Sequence, residues 1–323
     1  MTEPGATILL TGGAGYVGAA TADALLAAGY QVVVLDDLSS GHVESIPNAA
    51  SSQTGSYGDR NRVEQLLHTA RIDAVVHCGA KSIVSESSEQ PGLYFSVNVQ
   101  ASLILLEAVR NAGINAFVFS SSAAIYGAQP ALYLGEDLPP DPINPYGATK
   151  VAFELALRSF AEAGELRAVA LRYFNVAGST ERISERHAPE THLVPRLLQA
   201  AQSGEPFELY GADYATPDGS ALRDYVHLSD VAAANVAAVK YVLKDSTKPG
   251  YAAINIGSGV GTSVKEAISA VERSTKRTIN VQIKPRRAGD PPRLVADISR
   301  AASLLGWKPR QSEMTRIVRS ILT

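Results

Sequence analysis

Cysteine is almost absent. Cys78 is the only one in 323 residues, so no internal disulfide can form and the core alone must hold the fold. Long apolar runs are missing as well. No stretch reaches the roughly 18 consecutive apolar residues of a spanning helix. The N-terminal "MTEPGAT" carries no apolar signal-peptide segment. There is no basic run or tail and the net charge is −3, which argues against nucleic acid or an anionic membrane as partner. His187, His192 and His227 lack the H-x-x-x-H or Cys/His spacing of a metal centre, so no metal is expected. The expectation left standing is a cytoplasmic globular protein.

Apolar residues make up 46% and charged residues 19% of the chain, an ordinary globular balance. The length suits roughly two domains of about 150 residues. In the first half, short apolar runs alternate with helical patterns. The runs are "ATILLT" (6–11), "QVVVLD" (31–36), "DAVVHC" (73–78), "NAFVFS" (115–120) and "RAVALR" (167–172). The helical patterns cover Ala19–Ala28, Arg62–Ala70, Leu93–Asn111 and Tyr146–Ala163. Apolar strands alternating with helices predict an α/β fold, a doubly wound parallel sheet covered on both faces. This unit spans 1–175, with a segment near 226–256 returning to it.

Beyond Asn175 the pattern loosens into a smaller mixed α/β region, 176–323. "STERISERHAPETH" reads as a loop. Helices follow at His192–Ser203, 228–243, Val264–Ser274 and Ser299–Leu305, with strands at Pro206–Tyr210, "YAAINIG" and "INVQIK".

The strongest local signal is "ILLTGGAGYVGAATADALLAAGYQVVVLDD". Gly12, Gly15 and Gly18 punctuate a turn between an apolar strand and an Ala-rich helix, and the next strand ends in Asp36. That context defines a dinucleotide fingerprint. The glycines permit a tight turn and close approach of a pyrophosphate, and the helix start offers free N–H groups. Asp36 suits the adenosine ribose hydroxyls, which favours NAD over its 2′-phosphorylated form.

"FVFSSSAAIYG" (117–127) places Ser120, Ser121 and Ser122 at the carboxyl end of a strand, where parallel sheets bind ligands. "NPYGATK" (144–150) then begins a helix. Asn144 suits the cap and Pro145 the first helical position. Tyr146 falls in the first turn, near the positive end of the helix dipole, and Lys150 lies one turn on, on the same face. Alone, such a pair is an ordinary solvated helix face. Beside a dinucleotide turn and a strand-end serine it suits proton transfer. A phenol brought from about 10 to about 7 needs roughly 4 kcal/mol of differential stabilisation. The dipole, the ammonium and a cationic nicotinamide are its expected sources.

These motifs resemble the extended short-chain dehydrogenase/reductases, and more narrowly their UDP-glucose/UDP-galactose 4-epimerase branch. "TGGAGYVG", "DDLSSGH", "SSSAAIYG", "NPYGATK", "LRYFNVAGS", "GADYATPDGSALRDYVHLSDVA", "NIGSG" and "RRAGDPP" carry the resemblance, in order, over nearly the whole chain. It implies an NAD-dependent epimerase that inverts C4 of a UDP-hexose. Tyr146 is then the base at the sugar 4-hydroxyl, Ser122 its hydrogen-bonding partner, and Lys150 the residue that holds a nicotinamide ribose and lowers the Tyr146 pKa. The resemblance maps cofactor contacts onto Gly12, Gly15, Tyr16, Val17, Gly18, Asp36, Asp37, Ser39, Ser40, Gly41, Ser56, Tyr57, Cys78, Gly79, Ala80, Lys81, Asn98 and Phe174. It maps the nucleotide sugar onto Ser122, Tyr146, Asn175, Leu193, Tyr210, Arg223, Arg287, Asp290 and Leu294, with the two arginines as phosphate clamps. It also implies a homodimer joined through the Leu93–Asn111 and Tyr146–Ala163 helices.

The chain departs from that family at three places. Ser56 stands where an aspartate usually binds adenine, and His192 where an asparagine is usual. Leu294 stands where a bulky tyrosine excludes N-acetylated sugars and a small residue admits them. Ala123 and Ala124 replace the acids that a dehydratase or decarboxylase needs after the strand-end serine. Epimerases for UDP-N-acetylhexosamine, UDP-pentose or UDP-uronate remain alternatives, because their C4 chemistry is the same. So does an NAD-binding regulator without activity, although such proteins typically lose the Tyr/Lys pair.

Overall fold

The computed structural model describes residues 5–186, 190–244, 248–287 and 290–322. His187 lies outside them. The chain opens with β1 (Thr7–Thr11), α1 (Tyr16–Ala27), β2 (Gln31–Asp36), β3 (Ser51–Thr54), α2 (Arg60–Ala70), β4 (Ala74–His77), α3 (Val84–Glu89), α4 (Pro91–Phe95), α5 (Ser102–Asn111) and β5 (Ala116–Ser122). It continues through α6 (Pro145–Glu162), β6 (Arg167–Tyr173), β7 (Asn175–Ala177), α7 (Leu193–Ser203), β8 (Phe207–Tyr210), β9 (Leu222–His227) and α8 (Leu228–Leu243). The last elements are β10 (Gly250–Ile256), β11 (Gly261–Ser263), α9 (Val264–Thr275), β12 (Val281–Lys284), β13 (Arg293–Leu294), α10 (Ser299–Leu305) and α11 (Met314–Leu322).

Seven strands form the main sheet in the order β10-β6-β5-β4-β1-β2-β3, all parallel. Alternate strand residues feed two buried layers. Ile8, Leu10, Val32, Val34, Val118, Val169 and Ile254 face α1 and α8, while Leu9, Val33, Leu35, Val75, Phe117 and Phe119 face α2, α5 and α6. The strand order reverses between β1 and β4, and a ligand crevice opens at such a point. The smaller sheet, β11-β9-β13 with β7 on β9, sits beyond the carboxyl ends of β5 and β6. β8 pairs with β12.

Several elements differ from the sequence reading. β3 is entirely exposed and polar ("SSQT"), so no periodicity announced it; backbone pairing with β2 alone makes it a strand. The expected helix Leu93–Asn111 is broken by one wide, π-type turn at Ser96–Ala101. The run Pro91–Asn111 is long and apolar enough to cross a membrane by composition. Here Tyr94, Asn98, Ser102, Leu105 and Leu106 are buried within the fold. The helix α11 closes the chain by burying Ile317 and Val318 against α9.

Candidate active site

The glycine turn sits at the switch point. Gly12 has φ +71°, and a Cβ there would lie 2.5 Å from the Gly79 nitrogen. The end of β1 and the strand end after β4 thus touch through backbone. A Cβ on Gly18 would lie 2.0 Å from the Gly12 carbonyl oxygen, so only glycine lets α1 start so close to the turn. Gly15 faces open space apart from the Gly12 oxygen at 3.5 Å. Asp36 is buried, and its oxygens accept from Ala14 N at 2.9 Å and Leu38 N at 2.8 Å. Each oxygen keeps a further acceptor site. The donor-rich turn, the glycine cradle and the half-satisfied carboxylate fit a dinucleotide with a free ribose diol.

Around this cradle, Tyr16 donates to the Gly178 carbonyl in a short hydrogen bond, and Val17 packs into the α1–α8 layer. Asp37 accepts from Ser39 N at 2.9 Å, and Gly41 packs so closely on Ala14 that a Cβ would meet its Cβ at 2.7 Å. Ser40 and Ser56 are exposed, and Ser56 Oγ accepts from Gly58 N at 3.1 Å. Tyr57 lies beneath Gly79 and donates to the Val97 carbonyl at 3.0 Å. Cys78 Sγ accepts from the Ser120 hydroxyl at 3.0 Å, and burial pushes its thiol up to about 11. Past Ala80, Lys81 pairs with Glu86 at 3.3 Å. Asn98 is a clamp inside the protein: it accepts from Lys81 N at 2.8 Å and donates to Lys81 O and Thr149 Oγ1. The π-type turn aims it there. Phe174 is buried beside Tyr126.

The reactive trio comes from β5 and α6. Asn144 Oδ1 accepts from Gly147 N at 2.8 Å, capping the helix, and Pro145 occupies its first position. Tyr146 is half-buried, has Ser122 near enough to lower its phenol's pKa, and meets Tyr94 edge-on with centroids 6.5 Å apart. Lys150 is buried and donates to the Ser120 carbonyl at 2.8 Å, with its ammonium 5.7 Å from the Tyr146 ring centroid. The Tyr146 phenol stands above its ordinary value, because burial raises it more than Ser122 lowers it. That corrects the expected fall. In this protein alone, the lysine points at a carbonyl and desolvation dominates. Burial also pulls Lys150 down to about 8, against the opposing pull of Cys78 and Glu154.

Apart from Ser122 and Tyr146, the expected nucleotide-sugar residues lie on the smaller sheet, on α7 and β8, and in the loop after β12. Asn175 starts β7, is exposed, and lies near enough to the Tyr225 phenol to lower its pKa against the larger rise from burial. Leu193 begins α7. Arg287 stacks over the Tyr210 ring at 4.1 Å, and Tyr210 donates to Glu208 at 2.5 Å. Arg223 pairs with Asp290 at 2.5 Å, so each holds the other in place. Leu294 stands opposite Arg223 on β13 and packs on the cluster containing Ala123 and Phe174. His192 approaches Glu185 at 2.8 Å and Glu190 at 3.1 Å. Burial works against its charge, but the two carboxylates raise its pKa overall. His227 caps α8, accepting from Ser229 N at 3.0 Å, and is bonded to Ser320. Residues the sequence reading passed over also converge here: Glu154 and Arg172 form a buried ion pair behind Ser121.

Residues 8–257 match the NAD dependent epimerase/dehydratase family. The UDP-glucose 4-epimerase of Corynebacterium glutamicum is 42% identical over 313 residues, 96% of this chain and 93% of its own. The crystal structure of UDP-glucose 4-epimerase from Brucella ovis in complex with NAD is 41% identical, with a TM-score of 0.93 over 98% of this chain and 97% of that one. A UDP-glucose-4-epimerase from Stenotrophomonas maltophila, with bound NAD and formylated UDP-arabinopyranose, also reaches 0.93 at 35% identity, covering 98% and 96%. On its glycine turn, its Ser–Tyr–Lys trio and these likenesses, the chain belongs to the NAD dependent epimerase/dehydratase family.

Proposed function

We propose that the chain is an NAD-dependent 4-epimerase that interconverts UDP-galactose and UDP-glucose. The observation that carries this is the Ser122–Tyr146–Lys150 constellation beside a dinucleotide cradle, in a chain 42% identical to a UDP-glucose 4-epimerase. The cradle residues, from Gly12 to Gly18 with Asp36 and the Cys78–Lys81 strand end, would hold NAD. Bound NAD supplies a hydride acceptor and donor at the sugar C4. Tyr146 takes the proton of the 4-hydroxyl, and the Ser122 hydroxyl hydrogen-bonds the same oxygen. Lys150 places its positive charge beside the phenol and on the nicotinamide ribose. The sugar passes through a 4-keto state, turns over, and would be reduced at the other face of C4 by the hydride that bound NAD returns, while Tyr146 gives the proton back to the 4-oxygen. No net oxidation results.

Substrate capture is assigned to 176–323 together with Asn175. Arg223 and Arg287 face the diphosphate, and Asp290 the uridine ribose. Release of Arg223 from Asp290 frees both for the ligand. Leu193 and Tyr210 hold the uracil, and Asn175 and Leu294 border the sugar. The partner is a second copy of the chain. Leu93, Phe95 and Leu155, exposed at 36%, 43% and 60%, form its apolar contact on α4 and α6. The single cysteine suits a cytoplasmic setting.

The test is turnover by purified protein on UDP-galactose, UDP-glucose, their N-acetyl forms, UDP-pentoses and UDP-uronates. Interconversion of the two hexoses supports the reading. Preference for an N-acetylated or pentose sugar moves the assignment to a neighbouring 4-epimerase. A flat panel with NAD retained removes it.

A further inference from the structure

The three serines that end β5 all meet one stripe of α6. Ser122 lies near the Tyr146 phenol and lowers its pKa, the Ser120 carbonyl accepts from Lys150 at 2.8 Å, and the Ser121 hydroxyl donates to Glu154 in a short hydrogen bond. Residues 146, 150 and 154 follow at helical spacing, so they stack on one face. The first two contacts belong to the proposed chemistry. The third does not.

Glu154 and Arg172 are paired with side-chain exposures of 7% and 6%, through Oε2–Nη2 at 2.7 Å and Oε1–Nε at 3.1 Å. Tyr251 of β10 adds a hydrogen bond to Oε2 at 2.8 Å. Arg172 also donates to the Tyr126 phenol at 2.9 Å and the Glu136 carbonyl at 3.1 Å. An apolar pair of similar volume often stabilises a fold as well as a buried ion pair does. Stability alone therefore does not account for this one. Its members come from β5, β6, α6 and β10, the elements that set Ser122 against Tyr146.

We infer that Glu154 is a positioning residue for the reaction proposed above: anchored by Arg172 and Tyr251, it grips Ser121 and so fixes the strand end bearing Ser122 against the helix bearing Tyr146 and Lys150. Successive strand residues point to opposite faces. Holding Ser121 toward α6 therefore fixes the pleat and the direction in which Ser122 leaves the strand.

Glu154 also bears on the charge of Lys150. The groups facing Lys150 are Cys78 and His77 at the end of β4, the Ser120 carbonyl of β5, and Tyr146 and Glu154 on its own helix. His77 is neutral, since burial drives it down to about 3, and the nearby lysine adds to that fall. Arg172, Tyr251 and Ser121 face Glu154 from the sheet side. Of these groups, Cys78 and Glu154 oppose the loss of the ammonium, whose pKa burial brings to about 8.

The inference rests on the epimerase reading, and the experiment separates the two. Wild type, Ser121→Ala and the double variant Glu154→Met/Arg172→Met are compared as NAD-loaded protein. The measurements are kcat and KM on UDP-galactose across pH, melting temperature, and the 13Cζ resonance of Tyr146, identified by its loss in Tyr146→Phe. Ser121→Ala leaves the ion pair whole. It is expected to melt normally, lose about tenfold in kcat at unchanged KM, keep its alkaline limb and shift the Tyr146 resonance. The double variant is expected to lose kcat likewise and to move the alkaline limb to lower pH. Wild-type kcat with an unmoved resonance in Ser121→Ala overturns the positioning role and leaves the epimerase reading intact. A wild type inactive on the hexoses removes the epimerase reading; an unmoved Tyr146 resonance then overturns the geometry as well.

Discussion

Gly147, the third residue of α6, offers a direct test of how finely the phenol is placed. A Cβ built there lies 2.5 Å from the Ala124 carbonyl oxygen and 3.1 Å from Pro142 Cβ. Since real Cβ contacts essentially never fall below 3.0 Å, Gly147→Ala must push the helix start from the strand end by at least about 0.5 Å. The nearer obstacle is the Ala124 backbone and the other is an atom of the Pro142 ring, so no side-chain rotation relieves it. Overpacking of this kind costs about 1–3 kcal/mol, offset in part by up to about 1 kcal/mol of helix propensity. The displaced segment carries Tyr146 directly, while Ser122 stays with β5. Because misplacement by about 1 Å can cost about 100-fold, a shift of half that is expected to lower kcat about 10-fold or more, near 1.4 kcal/mol of barrier. NAD content is expected to stay normal, since the glycine turn between β1 and α1 lies outside the displaced segment. The assay is UDP-galactose turnover at saturating substrate, with bound NAD and melting temperature measured on the same samples. A kcat within twofold of wild type in a folded, NAD-loaded variant refutes the reasoning.

Three further outcomes are expected. Tyr146→Phe keeps its cofactor and loses about 100- to 10,000-fold in kcat; near-normal turnover sinks its assignment as base. Lys150 has a folded pKa of about 8 against an ordinary 10.5, so the unfolded chain binds more protons between those values. The stability of cofactor-free wild type relative to Lys150→Met should therefore rise from pH 8 to 10.5, by up to about 1.4 kcal/mol per unit, and urea midpoints whose difference is flat with pH refute it. Leu155→Glu puts a charge on an exposed apolar site of α6; if that face joins two copies, light scattering shows monomers, and an unchanged dimer places the interface elsewhere.

How much of this was readable in the chain follows from how local each signal is. The five apolar runs of the parallel sheet announced themselves, because strands buried on both faces need unbroken Val, Ile and Leu. β3 did not, since a polar edge strand is made only by its neighbour. The Asn144 cap, Pro145 and the Tyr146/Lys150 pair were legible because capping and one-turn spacing are properties of a dozen consecutive residues. The third rung, Glu154, shared that spacing and was overlooked, because its partners Ser121, Arg172 and Tyr251 are distant in sequence. The direction of the Tyr146 shift failed for a related reason. The dipole and the lysine are visible in sequence, but desolvation depends on what the whole fold packs around the ring.

β10 has a bearing on how this protein can be cut and rejoined. It supplies the outermost strand beside β6, its Tyr251 reaches the Glu154 carboxylate, and its Asn255 bonds the Tyr126 phenol at 2.7 Å. A fragment ending after β7 would leave the edge of β6 bare and the Arg172 network short of two partners. The chain is therefore no pair of exchangeable cassettes. A chimera that exchanges the C-terminal region must keep the β10 that fits its own β6 and α6. Crossovers near residue 175 should yield insoluble products, and those that keep 250–256 with the first half should be recovered folded.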